Sequence, residues 1–215
     1  MLDKSIILFD LDGTLTDPKV GITKSVVYSL RGFGIDVENA DDLIKFIGPP
    51  LRESYKKYYG LNAEQTEIAV GKYREYYSKR GIFENTLYLG IENMLQKLCR
   101  KGKRLIVATS KPTVYAQKIL THFGLAGYFE FVAGSELDGT RDDKGEIIRY
   151  ALESRGIVEL NDVIMIGDRE HDIIGARKNS IESAGVLYGY GSRRELVDAG
   201  ASYIAGSVGE LSELI

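Results

Sequence analysis

The chain has 215 residues, of which 27% are charged and 44% are apolar, and its formal net charge at pH 7 is −3. This composition is typical of a folded globular protein, and the small net charge without a basic run argues against nucleic-acid binding. The N-terminal residues have neither a basic leader nor a long apolar segment, so we expect no signal peptide, no membrane anchor and a cytoplasmic location.

The first predicted strand ends in a pair of acids. Residues 5–9 form an apolar run that is too short for a helix, and Asp10 and Asp12 follow it with one residue between them. Short runs rich in Ile, Leu and Phe are typical of strands that are buried on both faces of a parallel sheet. The sequence therefore predicts two carboxylates at the carboxyl end of a buried strand, although such acids can also merely cap a turn.

The segment after this strand interrupts the strand pattern. Apolar residues recur at helical spacing in residues 16–84, for example at Ile22, Val26 and Leu30. A segment of this length is too long for a loop. We therefore predict a helical cap domain at 16–84, inserted into a core domain that is formed by residues 1–15 and 85–215.

Strands and helices alternate in the rest of the chain. Apolar runs at 104–109, 129–133, 163–166 and, more weakly, 183–187 are separated by helical patterns. This alternation predicts an α/β fold, a doubly wound parallel sheet with helices on both faces. With the common strand order 3-2-1-4-5, ligands bind at the switch point between the first and fourth strands.

A second group of acids follows the fourth predicted strand, where Asp168 and Asp172 lie just beyond residues 163–166. These two acids should converge with Asp10 and Asp12, because the first and fourth strands are adjacent in the predicted order. Crowded carboxylates repel one another unless a cation neutralises them or one takes a proton. Oxygen ligands without a nearby Cys or His pair suit Mg²⁺ better than Zn²⁺, so we predict a magnesium site that a phosphorylated substrate would complete.

Three further residues fit an anionic substrate. Thr109 and Ser110 close the second strand, where a hydroxyl and the following backbone amides can hold a phosphate oxygen. Lys144 opens a helix after the third strand and can supply a fixed positive charge. Each residue has an ordinary alternative, such as a packed threonine or a solvated helix lysine, and it is the joint arrangement that favours a phosphate site.

These residues, in this order, resemble the motifs of the haloacid dehalogenase superfamily of hydrolases. The motifs are Asp10-Leu11-Asp12-Gly13-Thr14, then Thr109, then Lys144, then Gly167-Asp168 with Asp172. The helical insertion after the first motif is similar to the cap of the phosphoglycolate-phosphatase-like branch. The resemblance spans nearly the whole chain and implies a magnesium-dependent phosphatase that acts on a small phosphorylated metabolite, such as phosphoglycolate or a nucleoside monophosphate.

The resemblance also implies a role for each site residue. Asp10 would attack phosphorus and become an aspartyl-phosphate, while Asp12 would protonate the leaving oxygen and then activate water. Thr109 and Lys144 would bind the transferring phosphoryl group. The ligands of the metal would be the carboxylates of Asp10 and Asp168, the backbone carbonyl of Asp12 and, through a bound water, Asp172.

Substrate choice is expected to depend on the cap. Its candidate residues are Lys24 on the first cap helix and Arg52 after the Gly48-Pro49-Pro50 loop, although each can also be a plain surface charge. Other functions stay open, because phosphomutases of the superfamily share all of its motifs. A non-catalytic module that accepts or binds a phosphoryl group is a further alternative, but a phospho-accepting receiver domain does not explain the helical insertion.

Overall fold

The computed structural model describes residues 2–215 as a succession of strands and helices. The strands are β1 (Ile6–Phe9), β2 (Thr16–Asp17), β3 (Thr86–Leu87), β4 (Arg104–Pro112), β5 (Phe131–Ser135), β6 (Val163–Gly167), β7 (Glu182–Val186) and β8 (Tyr203–Ala205). The α-helices are α1 (Lys19–Arg31), α2 (Leu51–Tyr59), α3 (Ala63–Tyr76), α4 (Ile91–Arg100), α5 (Thr113–His122), α6 (Lys144–Ser154), α7 (Glu170–Lys178), α8 (Arg193–Ala199) and α9 (Val208–Leu214). Short 3₁₀ segments cover Ala40–Phe46, Ala126–Tyr128 and Leu160–Asp162, and a π-helical turn covers Tyr77–Gly81.

The chain divides into two compact units. The smaller is Pro18–Thr86, and the larger is formed, within the described residues, by 2–17 together with 87–215. The chain passes between the units slightly later than the predicted limits of 16–84, and a role of the smaller unit as a cap remains a prediction.

The larger unit is built on a parallel sheet. Within residues 2–215 this sheet has six strands in the order β5-β4-β1-β6-β7-β8. The predicted α/β fold and the order of its five predicted strands are confirmed, whereas β8 was not predicted because it is too short to show a hydrophobic pattern. Phe9 lies opposite Val107 of β4 and Ile166 of β6, so the carboxyl end of β1 is flanked by those of two neighbours.

One face of this sheet is covered by α6. Ile147 and Ile148 of this helix share a buried cluster with Leu8, Ile106 and Met165 from three adjacent strands. Burial of each such side chain contributes roughly 1.5–3 kcal/mol, which explains why these short apolar runs fold as central strands. The helix that begins at Lys144 is thereby fixed against the strands that carry the acids.

The smaller unit is helical. Ile22, Val26 and Leu30 are buried on one side of α1, as their spacing predicts. The hydroxyl of Ser29 donates a hydrogen bond to the Ala69 carbonyl at 2.7 Å, which joins α1 to α3. Over the described part of the chain, none of the helices combines the length and the apolarity that crossing a bilayer requires.

Candidate active site

Two adjacent strands of the larger unit bring acids to the same edge of the sheet. Asp10 follows β1 and Asp168 follows β6, and these strands are paired in parallel with Phe9 opposite Ile166. The Asp10 N–H donates to the Ile166 carbonyl at 2.8 Å, so the pairing continues one residue beyond β1. Asp10 is 4% exposed and Asp168 is fully buried. The structure thus brings together acids that are remote in sequence.

Lys144 lies among these acids. Its Nζ lies 2.8 Å from Asp10 Oδ1 and 2.8 Å from Asp172 Oδ1, and it donates to the Ala108 carbonyl at 3.0 Å. Burial lowers the pKa of Lys144, but the carboxylates of Asp10 and Asp172 raise it by more, so the net shift is above its ordinary value. The ammonium is therefore a permanent positive charge inside the protein.

The carboxylates around Lys144 outnumber its single positive charge, and the negative charge that remains suits a further cation. Asp10, Asp168 and Asp172 each offer a carboxylate oxygen, and these atoms lie within 4.8 Å of one another. Asp168 Oδ2 accepts the N–H of Tyr190 at 2.8 Å, whereas Asp168 Oδ1 is buried and has no hydrogen-bond partner among residues 2–215. Burial, reinforced by the charges of Asp172 and Asp10, raises the pKa of Asp168 well above its ordinary value. Hard oxygen donors with an unsatisfied buried oxygen fit Mg²⁺.

Asp12 is paired with a lysine that the sequence interpretation missed. Lys111 Nζ lies 2.6 Å from Asp12 Oδ2, and the two side chains are only 6% and 10% exposed. Burial raises the pKa of Asp12, and the Lys111 charge offsets this shift only in part. Position alone was the available signal, because Lys111 lies two residues after Thr109 near the end of β4, but nothing in the sequence indicated its contact with Asp12.

Thr109 and Ser110 lie near the carboxyl end of β4. Thr109 is buried, and its Oγ1 accepts the N–H of Lys111 at 3.3 Å. The Ser110 carbonyl accepts the hydroxyl of Ser135 at 2.8 Å, which ties β4 to β5. Thr109 follows directly after Ala108, whose carbonyl binds the Lys144 ammonium. The structure therefore places Thr109 next to the acid cluster, and its binding of phosphate remains a prediction.

A loop after β7 supports Asp168 and was also missed. Gly189 and Gly191 approach so closely that a Cβ on them would lie 2.4 Å from Asp168 Cβ and 1.9 Å from the Asp168 carbonyl oxygen, respectively. The Tyr190 hydroxyl donates to the Asp17 carboxylate, while its N–H binds Asp168. The alternating Tyr-Gly-Tyr-Gly sequence was the available signal, because glycine permits a close backbone approach.

The two residues predicted to select substrate are engaged in ion pairs of the smaller unit. Lys24 Nζ lies 2.6 Å from Glu84 Oε1. Arg52 donates from Nε and Nη2 to the Glu67 carboxylate at 2.6 and 3.0 Å. The Lys24 side chain is 54% exposed and that of Arg52 is 23% exposed, as is usual for surface pairs. Their contact with substrate remains a prediction.

The chain matches known proteins over most of its length. A family model described as "Haloacid dehalogenase-like hydrolase" matches residues 7–186. A 5'-nucleotidase from Pseudomonas aeruginosa is 47% identical over 190 residues, which cover 88% of this chain and 86% of that protein. The tyrosine-protein kinase PtkA from Mycobacterium tuberculosis is 38% identical over 210 residues, which cover 97% of this chain and 70% of that protein.

A solved structure agrees with this family. The crystal structure of a predicted phosphatase from Clostridium acetobutylicum has a TM-score of 0.96 and 52% identity, covering 98% of this chain and 97% of that one. A phosphoglycolate phosphatase from Colwellia psychrerythraea is 26% identical, over 97% of this chain and 96% of that protein. The resemblance inferred from the motifs is confirmed, as is the prediction that the protein is a hydrolase of this kind. The chain belongs to the haloacid dehalogenase-like hydrolase family.

Proposed function

We propose that the protein is a magnesium-dependent phosphatase that hydrolyses monoesters of small metabolites through an aspartyl-phosphate on Asp10. The observation that carries the proposal is the buried cluster around this carboxylate. Asp10 Oδ1 lies 2.8 Å from the Lys144 ammonium, and oxygens of Asp168 and Asp172 lie within 4.8 Å of an Asp10 oxygen. A fixed cation and cation-binding acids beside a carboxylate suit phosphoryl transfer, which depends on positioning and on neutralising negative charge.

In the first half-reaction, a carboxylate oxygen of Asp10 attacks phosphorus while the ester P–O bond breaks. The Asp12 carboxyl group gives its proton to the departing oxygen and becomes a carboxylate. Lys144 orients Asp10, because its ammonium donates to Oδ1. Thr109 and Ser110 would bind the other oxygens of the phosphoryl group, and the Lys144 charge would compensate for part of their negative charge.

In the second half-reaction, a water oxygen attacks the phosphorus of the aspartyl-phosphate. One water proton passes to the Asp12 carboxylate, the bond between phosphorus and the Asp10 oxygen breaks, and phosphate leaves. Both side chains then return to their starting forms. Asp12 Oδ1 is the oxygen suited to this proton transfer, since it is buried and accepts no hydrogen bond from the residues that the structure describes.

The acids that would hold Mg²⁺ are those inferred from the sequence. Its ligands would be the carboxylates of Asp10 and Asp168, the backbone carbonyl of Asp12 and, through water, Asp172. When bound, the ion supplies positive charge that screens the nucleophile from the phosphate oxygens. The unsatisfied Asp168 Oδ1 and the raised pKa of Asp168 support a cation at this place.

Nucleoside 5'-monophosphates are the substrate class that we propose to test first. The protein named a 5'-nucleotidase, at 47% identity, supports them over phosphoglycolate, whose named phosphatase is 26% identical. We expect Lys24 and Arg52 to influence the choice through the part of the substrate that carries no phosphate. A set of monophosphates that differ only in base or sugar measures this preference as kcat/KM.

The direct test uses p-nitrophenyl phosphate with Mg²⁺ or with EDTA. We expect phosphate release with Mg²⁺, its loss with EDTA and its return when Mg²⁺ is restored. Asp10→Asn should lower kcat by about 10⁴-fold or more with the fold intact, because it removes the nucleophile. Asp3→Asn is the matched control, since the Asp3 side chain is fully exposed. Full activity in Asp10→Asn would refute the assignment of the nucleophile.

Transfer of the phosphoryl group to a hydroxyl other than water is the second candidate. The name of PtkA, a protein kinase that covers 97% of this chain, favours it, and phosphomutases of the superfamily share the motifs. The same aspartyl-phosphate would then be attacked by the acceptor hydroxyl. Labelled ATP and a tyrosine-containing peptide separate the cases, because a labelled peptide indicates transfer and labelled inorganic phosphate indicates hydrolysis. Magnesium binding without either product would indicate a non-catalytic binding module.

A further inference from the structure

Lys111 is a second buried cation at the carboxyl edge of the sheet, and the mechanism above gives it no role. Its Nζ lies 2.6 Å from Asp12 Oδ2, with the two side chains 6% and 10% exposed. The whole smaller unit, Pro18–Thr86, separates Lys111 from Asp12 in sequence, so no local turn accounts for the contact. A buried pair of charges is costly in desolvation unless its geometry is favourable, so it calls for an explanation that a surface pair does not.

The two carboxylate oxygens of Asp12 differ in their surroundings. Oδ2 is held by Lys111, whereas Oδ1 is buried and accepts no hydrogen bond within residues 2–215. A carboxyl group that is held through one oxygen presents the other in a fixed direction, as a proton donor in a transition state requires. The N–H of Lys111 donates to Thr109 Oγ1 at 3.3 Å, so the lysine is itself tied to the strand end.

We propose that Lys111 is a positioning residue, which holds Asp12 so that its second oxygen faces the leaving-group oxygen of the substrate. The inference rests on the proposed function. As the ester P–O bond breaks and the bond from Asp10 to phosphorus forms, the proton on Asp12 passes to the departing oxygen. In this role Lys111 acts through Asp12 and not by contact with phosphorus or the departing oxygen.

This role predicts that the effect of Lys111 depends on the leaving group. Phenolate is basic and needs a proton as the P–O bond breaks, whereas p-nitrophenolate leaves readily without one. Because kcat/KM compares free enzyme and substrate with the transition state, it reports this first half-reaction. Loss of the Asp12 orientation therefore lowers kcat/KM more for phenyl phosphate than for p-nitrophenyl phosphate. A general loss of structure lowers both to a similar degree.

The experiment measures kcat/KM with Mg²⁺ for aryl phosphates of graded leaving-group pKa. We expect Lys111→Met to lose about tenfold or more on phenyl phosphate relative to p-nitrophenyl phosphate, and Lys111→Arg to recover most of that loss. Asp12→Asn should make kcat/KM depend more steeply on the leaving-group pKa. The Lys111→Met/Asp12→Asn double variant should show no steeper dependence than Asp12→Asn, because the two residues act as a unit. Lys118→Met is the control, since Lys118 is an exposed lysine of α5.

An equal loss of kcat/KM on all aryl phosphates in Lys111→Met would overturn the inference. So would a double variant whose kcat/KM depends more steeply on the leaving-group pKa than that of Asp12→Asn. If Lys111→Met does not fold, the double variant, in which neutral groups replace both charges, still allows the comparison with Asp12→Asn. Failure of the proposed function has a different signature. In that case Asp10→Asn keeps full activity or the wild type releases no phosphate, whatever Lys111 does.

Discussion

Two lysines, one in each unit, lie in opposite environments. In the larger unit the Lys144 side chain is 4% exposed and contacts Asp10 and Asp172, whereas the Lys24 side chain of the smaller unit is 54% exposed and contacts Glu84. Exposed pairs contribute about 0–1 kcal/mol and form readily, but a buried charge costs free energy that its partners must offset. The comparison indicates that the sheet edge holds charges that stability alone does not favour, which is typical of an active site.

Among the changes that test this comparison of environments, replacing Lys144 should give the largest effect. Lys144→Met leaves buried carboxylates without their ammonium, so we expect the free energy of unfolding to fall by about 3–5 kcal/mol. Activity should fall by roughly 10²–10³-fold, because a fixed charge beside the phosphoryl group is lost. Urea unfolding and kcat on p-nitrophenyl phosphate measure the two effects.

The control for this change is Lys178→Met. Lys178 Nζ lies 2.8 Å from Asp143 Oδ2, but the side chains are 54% and 48% exposed. We expect this variant to lose no more than about 1 kcal/mol. Equal destabilisation by Lys144→Met and Lys178→Met would remove the distinction between buried and exposed pairs.

A methyl group at Gly13 should have the next largest effect. A Cβ at this position would lie 2.2 Å from Asp168 Oδ2, so Gly13→Ala must displace the Asp168 carboxylate. A displacement of this order can cost about 10²-fold in kcat/KM. Gly102→Ala is the matched control, because Gly102 has a φ of +75° against +83° at Gly13 but nothing within 4 Å of its Cβ position. Similar kcat/KM losses in both variants would attribute the effect to backbone strain and contradict the proposed contact.

The smallest effect is expected in the smaller unit. Arg52→Gln removes the hydrogen bonds from Arg52 to Glu67 and should destabilise the protein by about 0.5 kcal/mol at neutral pH. These bonds and the Arg52 charge lower the pKa of Glu67. Their stabilisation is therefore fully present at a pH above the ordinary pKa of a glutamate, and it disappears as the pH falls through the lowered pKa of Glu67. Unfolding curves of wild type and variant should therefore converge in acid. A gap that widens in acid would contradict this account.

The sheet and its acids could be predicted because sequence position determines them. An apolar run that ends in Asp10 and another that ends before Asp168 each specify a strand and the acid at its end. Strand order then makes those ends neighbours, with no need to know any rotamer. Lys144 could be predicted for a similar reason, since it opens a helix that packs on the same strands through Ile147.

Contacts made by side-chain direction or by loop backbone could not be predicted in this way. The pair of Lys111 with Asp12 depends on the direction of a long flexible side chain, and many rotamers of Lys111 would avoid it. The amide of Tyr190 reaches Asp168 from a loop whose path follows from close packing of glycines. For Lys24 and Arg52, the sequence indicates charge but not the ligand.

The most direct test of the account asks whether Asp10 carries the phosphoryl group during turnover. In Asp12→Asn with p-nitrophenyl phosphate, the first half-reaction needs no acid and the second lacks its base, so the intermediate should accumulate. Acid quenching and peptide mapping then locate the group. We expect a base-labile phosphoryl group on the peptide containing Asp10 and none in the Asp10→Asn/Asp12→Asn double variant, as the proposed mechanism requires. A phosphoryl group on another residue, or turnover of the wild type without any covalent intermediate, would contradict it.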